Sequence, residues 1–140
     1  MKALLMIGGV IIFCALFSCA YNSATYDSDT PQGSINLKYN VQQRVDNNLL
    51  LEVIDLYDNR CPIGSVCSNG GTVDVSFKIF VNNKIETKMI SFSDFPNLAQ
   101  PYDTISGYRI ELVKVLPLPY AGNPVEKLSN YTVCVLVSKF

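Results

Sequence analysis

Cys61 and Cys67 enclose the five residues Pro62-Ile63-Gly64-Ser65-Val66, and Asp58 and Arg60 stand just before them. Cysteines at such spacing serve redox exchange, metal binding or covalent stapling. A thioredoxin-type pair keeps two residues between its cysteines, so the spacing here does not fit. Zinc would need two further ligands, and the chain has no histidine. Asp55 and Asp58 offer paired carboxylates. Flanking a turn beside Arg60, they are expected to accept backbone hydrogen bonds and to form one ion pair. Without histidine the usual general base is missing, and no strand–helix context appears for a Ser–Lys dyad. The chain is therefore expected not to be an enzyme, with no catalytic residue, no metal site and no cofactor. Cys134, on an apolar segment, reads as a buried small hydrophobe rather than a reactive thiol.

The elements that must position these residues read as strands. "TVDVSFKIFV" alternates Val73, Val75, Phe77, Ile79 and Val81 against polar neighbours. A period of two means one buried and one wet face. "INLKYNV" alternates in the same way. "LLLEVIDLY" is apolar on both faces, as in a central strand. "YRIELVKVLPL" starts in phase with Tyr108, Ile110 and Leu112 and slips near Val113, which predicts a bulge or a twist. Val81-Asn82-Asn83-Lys84 predicts a tight hairpin, because Asn tolerates positive φ, and "KIETKMISF" is its return strand. "YTVCVLVSK" closes the chain. Pro117 and Pro119 end the strand before it. Outside the N-terminus no helical period is visible. The pattern predicts one all-β domain over residues 34–140, an antiparallel, immunoglobulin-like sandwich of about six to eight strands. Its core would include Val75, Phe77, Ile110 and Val135, leaving little room for an enclosed ligand.

Two long loops follow from this reading, "SDFPNLAQPYDTISG" and "LPLPYAGNP" with the residues up to Tyr131. Binding residues concentrate on such loops. Phe95, Tyr102 and Tyr120 are the candidate contacts, since aromatic side chains give large contact area at low entropy cost. Eleven basic and twelve acidic residues leave a net charge of −1, which is no footprint for nucleic acid.

The N-terminus carries one charge, Lys2, and then an apolar run from Ala3 to Phe17. That run is shorter than the ~20 residues a spanning helix needs and reads as a signal peptide over residues 1–18. Leu16-Phe17-Ser18-Cys19 resembles the bacterial lipobox. The resemblance implies cleavage before Cys19, acyl chains such as palmitate on Cys19, and attachment to membrane through them. Residues 19–33 are polar and without period, as a flexible tether would be. It would span on the order of 20 Å. Ala20 stands where Asp commonly retains lipoproteins at the inner membrane, so the resemblance implies an outer-membrane protein facing the periplasm. An oxidising compartment makes paired cysteines into disulfides, so Cys61 and Cys67 are expected to be joined.

Asp58-Asn59-Arg60-Cys61-Pro62, the second Cys67 and the glycines Gly70-Gly71 resemble a motif of small, uncharacterised bacterial lipoproteins, Asp-x-Arg-Cys-Pro…Cys…Gly. Leu112 and Val115 before Pro117, and Asn130-Tyr131 opening the last strand, fit as well. The chain departs at Ser68-Asn69, where that group carries an apolar residue and Trp. The group has no activity to carry over. The expected role is non-catalytic binding of an envelope protein or glycan. The alternatives are a structural or accessory envelope lipoprotein without a ligand site, and an enzyme-associated or inhibitor module.

Overall fold

The computed structural model describes residues 30–140 apart from Asp94, Pro96 and Leu98. The leader, Cys19 and the tether up to residue 29 lie outside the described residues. Eight strands build the domain: β1 (Ile35–Lys38), β2 (Gln43–Asp46), β3 (Leu49–Asp58), β4 (Val73–Val81), β5 (Lys84–Phe92), β6 (Tyr102–Ile105), β7 (Tyr108–Leu116) and β8 (Thr132–Lys139). They form two four-stranded sheets, ordered β1-β8-β7-β6 and β2-β3-β4-β5, and neighbouring strands in each are antiparallel. The chain passes between the sheets at β1–β2 and at β5–β6. The two sheets form a β-sandwich around one apolar core.

β4 shows why. Its five odd-numbered residues from Val73 to Val81 are all buried, and the residues between them are half-exposed. Phe77 is wholly buried, which is worth roughly 1.5–3 kcal/mol for a side chain of this kind. Asn82 and Asn83 take φ of 49° and 63°, and the hairpin they make sets β5 in unbroken register with β4.

Two bulges re-aim the strand ends. In β3 the inward residues are Leu49, Leu51 and Val53, then Leu56. The register shifts between Val53 and Asp55, and Asp55 Oδ1 accepts from the Leu56 amide at 2.9 Å. The extra residue moves Tyr57 outward and Asp58 inward, onto the core side of the sandwich end. β7 shifts between Leu112 and Lys114, so Val115 is buried where strict alternation would expose it.

Two strands lie where the sequence shows no strand pattern, β6 inside a segment that reads as loop. β2 and β6 have four residues each and mixed polarity; a neighbouring strand, rather than their own pattern, makes them strands. "SDFPNLAQPYDTISG" is thus not one long loop, and Tyr102 lies in β6 rather than on a loop. β6 covers only the first half of β7, pairing Tyr102 with Glu111 and Ile105 with Tyr108. At this far end of the sandwich Tyr108 Oη donates to Asp46 Oδ2 at 2.7 Å, tying one sheet to the other. That bond holds the Asp46 carboxyl below its usual range.

Candidate interaction surface at the disulfide-ring end

β3, β4, β5, β7 and β8 all bring an end to one pole of the sandwich. There Arg60, 5% exposed, forks onto the inward-turned Asp58. Arg60 Nε donates to Asp58 Oδ1 at 2.9 Å and Nη2 to Oδ2 at 2.7 Å. The same guanidinium crosses to the other sheet. Nη1 donates to the Val115 carbonyl at 2.8 Å and Nη2 to the Pro117 carbonyl at 2.9 Å. These carbonyls lie where β6 has stopped and the edge of β7 would otherwise be bare, an exposed edge of the kind proteins cover. One buried cation therefore neutralises a buried carboxylate and caps a sheet edge. Arginine suits this task, because its donors lie in a rigid planar fork.

Tyr131, in front of β8, closes the group: its Oη donates to Asp58 Oδ2 at 3.2 Å. Burial and then the neighbouring Asp58 carboxylate push the Tyr131 phenol up to about 12. The unfolded chain would ionise it near 10. Its contribution to stability is therefore complete below pH 10 and is lost as pH rises through about 12. In an ultraviolet difference titration, wild type minus Tyr131→Phe should show a tyrosinate step close to pH 12. A step near pH 10 would place that hydroxyl in water.

The 59–72 loop grows from this clamp. Asn59 N donates to Thr72 O at 2.8 Å and Cys61 N to Gly70 O at 3.1 Å, extending the β3–β4 ladder. Gly71 has φ +70°, and a Cβ there would meet the Asn59 carbonyl. Beyond these pairs Cys61 and Cys67 are joined in a disulfide. A ring of this size is worth about 2 kcal/mol in the chain-entropy model. Ile63 in the ring pairs with the loop after β7: Ile63 N donates to Pro119 O at 2.8 Å, and Ala121 N to Ile63 O at 2.9 Å. On its other flank the Phe95 ring sits on Gly70, filling the space a Cβ would need.

Phe95 and Tyr120 thus flank the disulfide ring on two sides, and both are more than half exposed. Tyr102 stands elsewhere. It opens β6, the edge strand of its sheet, opposite Glu111, with the Arg109 guanidinium 3.7 Å over its ring. Three further apolar residues that sequence reasoning did not single out share the pole: Ile63, Val66 and Val125. Val66 is fully exposed and Val125 is 94% exposed. Their only sequence signal was position, inside a cysteine ring or just after Pro124 in a turn-rich segment. Between the loops runs a groove of about 280 Å³, walled by Pro62, Pro117, Pro119, Tyr120 and Val125, with Glu126 and Tyr131 at its polar side.

Chemically the charged groups here are committed. Both Asp58 oxygens accept from Arg60, and Glu126 accepts from Asn130 Nδ2 at 2.8 Å. Among the described residues no three or more His, Cys, Asp or Glu side chains gather into a metal-binding group. Cys134 is a buried thiol on β8. No described helix is long and apolar enough to cross a membrane. No family model matches the chain, and neither a curated protein nor a solved structure does.

Proposed function

We propose that the chain is a lipid-anchored cell-envelope protein whose disulfide-ring end is a non-catalytic interaction surface. One observation carries this reading. Ile63, Val66, Phe95, Tyr120 and Val125 stand exposed at a single pole, on loops held by a disulfide, by backbone pairing to each other and by the Arg60 clamp. Clustered exposed apolar side chains mark contact sites, and a pre-ordered surface lowers the entropy cost of binding. The tips are apolar and uncharged, which favours a protein over a glycan at this pole.

The chain direction supports an outward-facing role. β1 opens the domain paired to the middle of β8 and runs toward the ring end. An acylated Cys19 would pull from behind, leaving the ring end away from the outer membrane and toward the periplasm. From the immunoglobulin-like expectation this reading takes only two facing sheets with loops at their ends. The strand order, two meanders with β1 added beside β8, is its own. The test replaces Val66 and Val125 by Ser in the full-length protein. Capture of crosslinked partners from the native envelope should fall about tenfold, as for contact residues worth ~1 kcal/mol or more, with Tm unchanged within a few degrees. Unchanged capture would favour an accessory lipoprotein without a ligand site.

A further inference from the structure

At the opposite pole the outer face of the β2–β5 sheet carries a second feature. Leu50, Phe80 and Ile85 are directly opposite one another across β3, β4 and β5, forming an apolar row on the solvent side. The β2–β3 and β4–β5 hairpins stand beside it and bring Asn47, Asn48, Asn82 and Asn83. Together with Lys84 these residues line a shallow dish of about 570 Å³. All four asparagines are exposed. None of their side-chain amides bonds to another described residue; the one bond there uses the backbone N–H of Asn48 and Asp46 Oδ1. Asn82 and Asn83 are accounted for by their positive φ. Asn47 and Asn48 are not, since neither has one.

The composition of the dish selects its occupant. A cationic ligand would find no carboxylate in the lining, and an anionic one only Lys84. A purely apolar ligand would strip water from amides without replacing their hydrogen bonds, at a cost of a few kcal/mol. A peptide strand binds best to an open sheet edge; the outer side of β5 is such an edge, but the dish lies on the face above β3, β4 and β5, where the side chains of Leu50, Phe80 and Ile85 and not backbone groups are presented. A polyhydroxylated ring with one apolar face fits each constraint. Every carboxamide offers two donors and an acceptor, which matches vicinal hydroxyls. The electron-rich face of Phe80, flanked by Leu50 and Ile85, matches the C–H face of a pyranose. Lys78, whose Nζ lies 5.3 Å from the Phe80 centroid, belongs to the neighbouring row and does not line the dish.

We propose that this dish is a binding site for a neutral sugar residue of a glycan, separate from the ring end. The test uses the full-length protein in a detergent without a sugar headgroup. Saturation-transfer NMR is run against trisaccharides of N-acetylglucosamine, glucose, mannose and galactose, with a trialanine peptide as the competing class. Transfer to the ring C–H protons of at least one trisaccharide is expected, and which arm responds identifies the glycan source. Replacing both Asn47 and Asn48 by Ala should weaken binding about tenfold, the size of one or two lost hydrogen bonds. These positions are exposed and need no positive φ, so the fold is retained. Phe80→Ala should weaken it similarly. Val66→Ser with Val125→Ser should leave it unchanged. No transfer to any trisaccharide, transfer only to the peptide, or equal binding by the Asn variant would overturn the assignment.

Discussion

Arg60→Ala is expected to lower the stability of the domain by ~3–5 kcal/mol, the usual cost of removing one partner from a buried ion pair. Asp58 would keep a buried charge, with only the residue-60 backbone N–H at 3.1 Å and the Tyr131 hydroxyl at 3.2 Å beside it. The Val115 and Pro117 carbonyls would lose their donor at an uncovered strand edge. For a domain of this size the Tm should fall on the order of 15 °C. Arg60→Lys should recover little, because a point charge cannot serve both carboxylate oxygens and two carbonyls at once. Lys88→Ala provides the contrast. It breaks the Lys88–Asp103 pair, 3.3 Å long and more than a third exposed on both sides, and should cost less than ~1 kcal/mol. Thermal or urea unfolding of the three variants checks the ranking. Equal small losses would show that Arg60 is not the clamp.

Cys19→Ala is expected to leave the precursor unlipidated and its leader uncut. The lipobox reading puts all anchoring on acyl chains at that residue, and the chain has no basic cluster to help. A single chain binds membrane only marginally, whereas two or more anchor stably. Wild-type protein should incorporate radiolabelled fatty acid and sediment with membranes. The variant should incorporate none. Labelling that persists in Cys19→Ala would overturn the lipid anchor and the outward orientation drawn from it.

What could be read from the sequence depended on where the phase was visible. β4 was legible because Val73 to Val81 alternate without exception. The slip in β7 was legible because Ile110 and Leu112 set a phase that Val115 breaks. The bulge in β3 was not. Leu50 and Ile54 on its outer face hide the phase, so nothing in the segment said that Asp58 would turn inward. β2 and β6 were invisible because four mixed residues carry no period, and their partner strands decide. Tyr102 was misplaced for that reason. Motif spacing suggested an ion pair at Asp58 and Arg60. It did not suggest the reach to Val115 and Pro117, 55 and 57 residues away in sequence. Such contacts exist only once both sheets have packed.

The most direct measurement is site-specific photocrosslinking in the living envelope. A photoreactive residue replaces Val66 or Val125 at the ring end, or Phe140, also exposed, at the opposite pole. A discrete protein adduct is expected from Val66 and Val125 and none from Phe140. Adducts from Phe140 alone, or from none of the three positions, would contradict an interaction surface at the ring end.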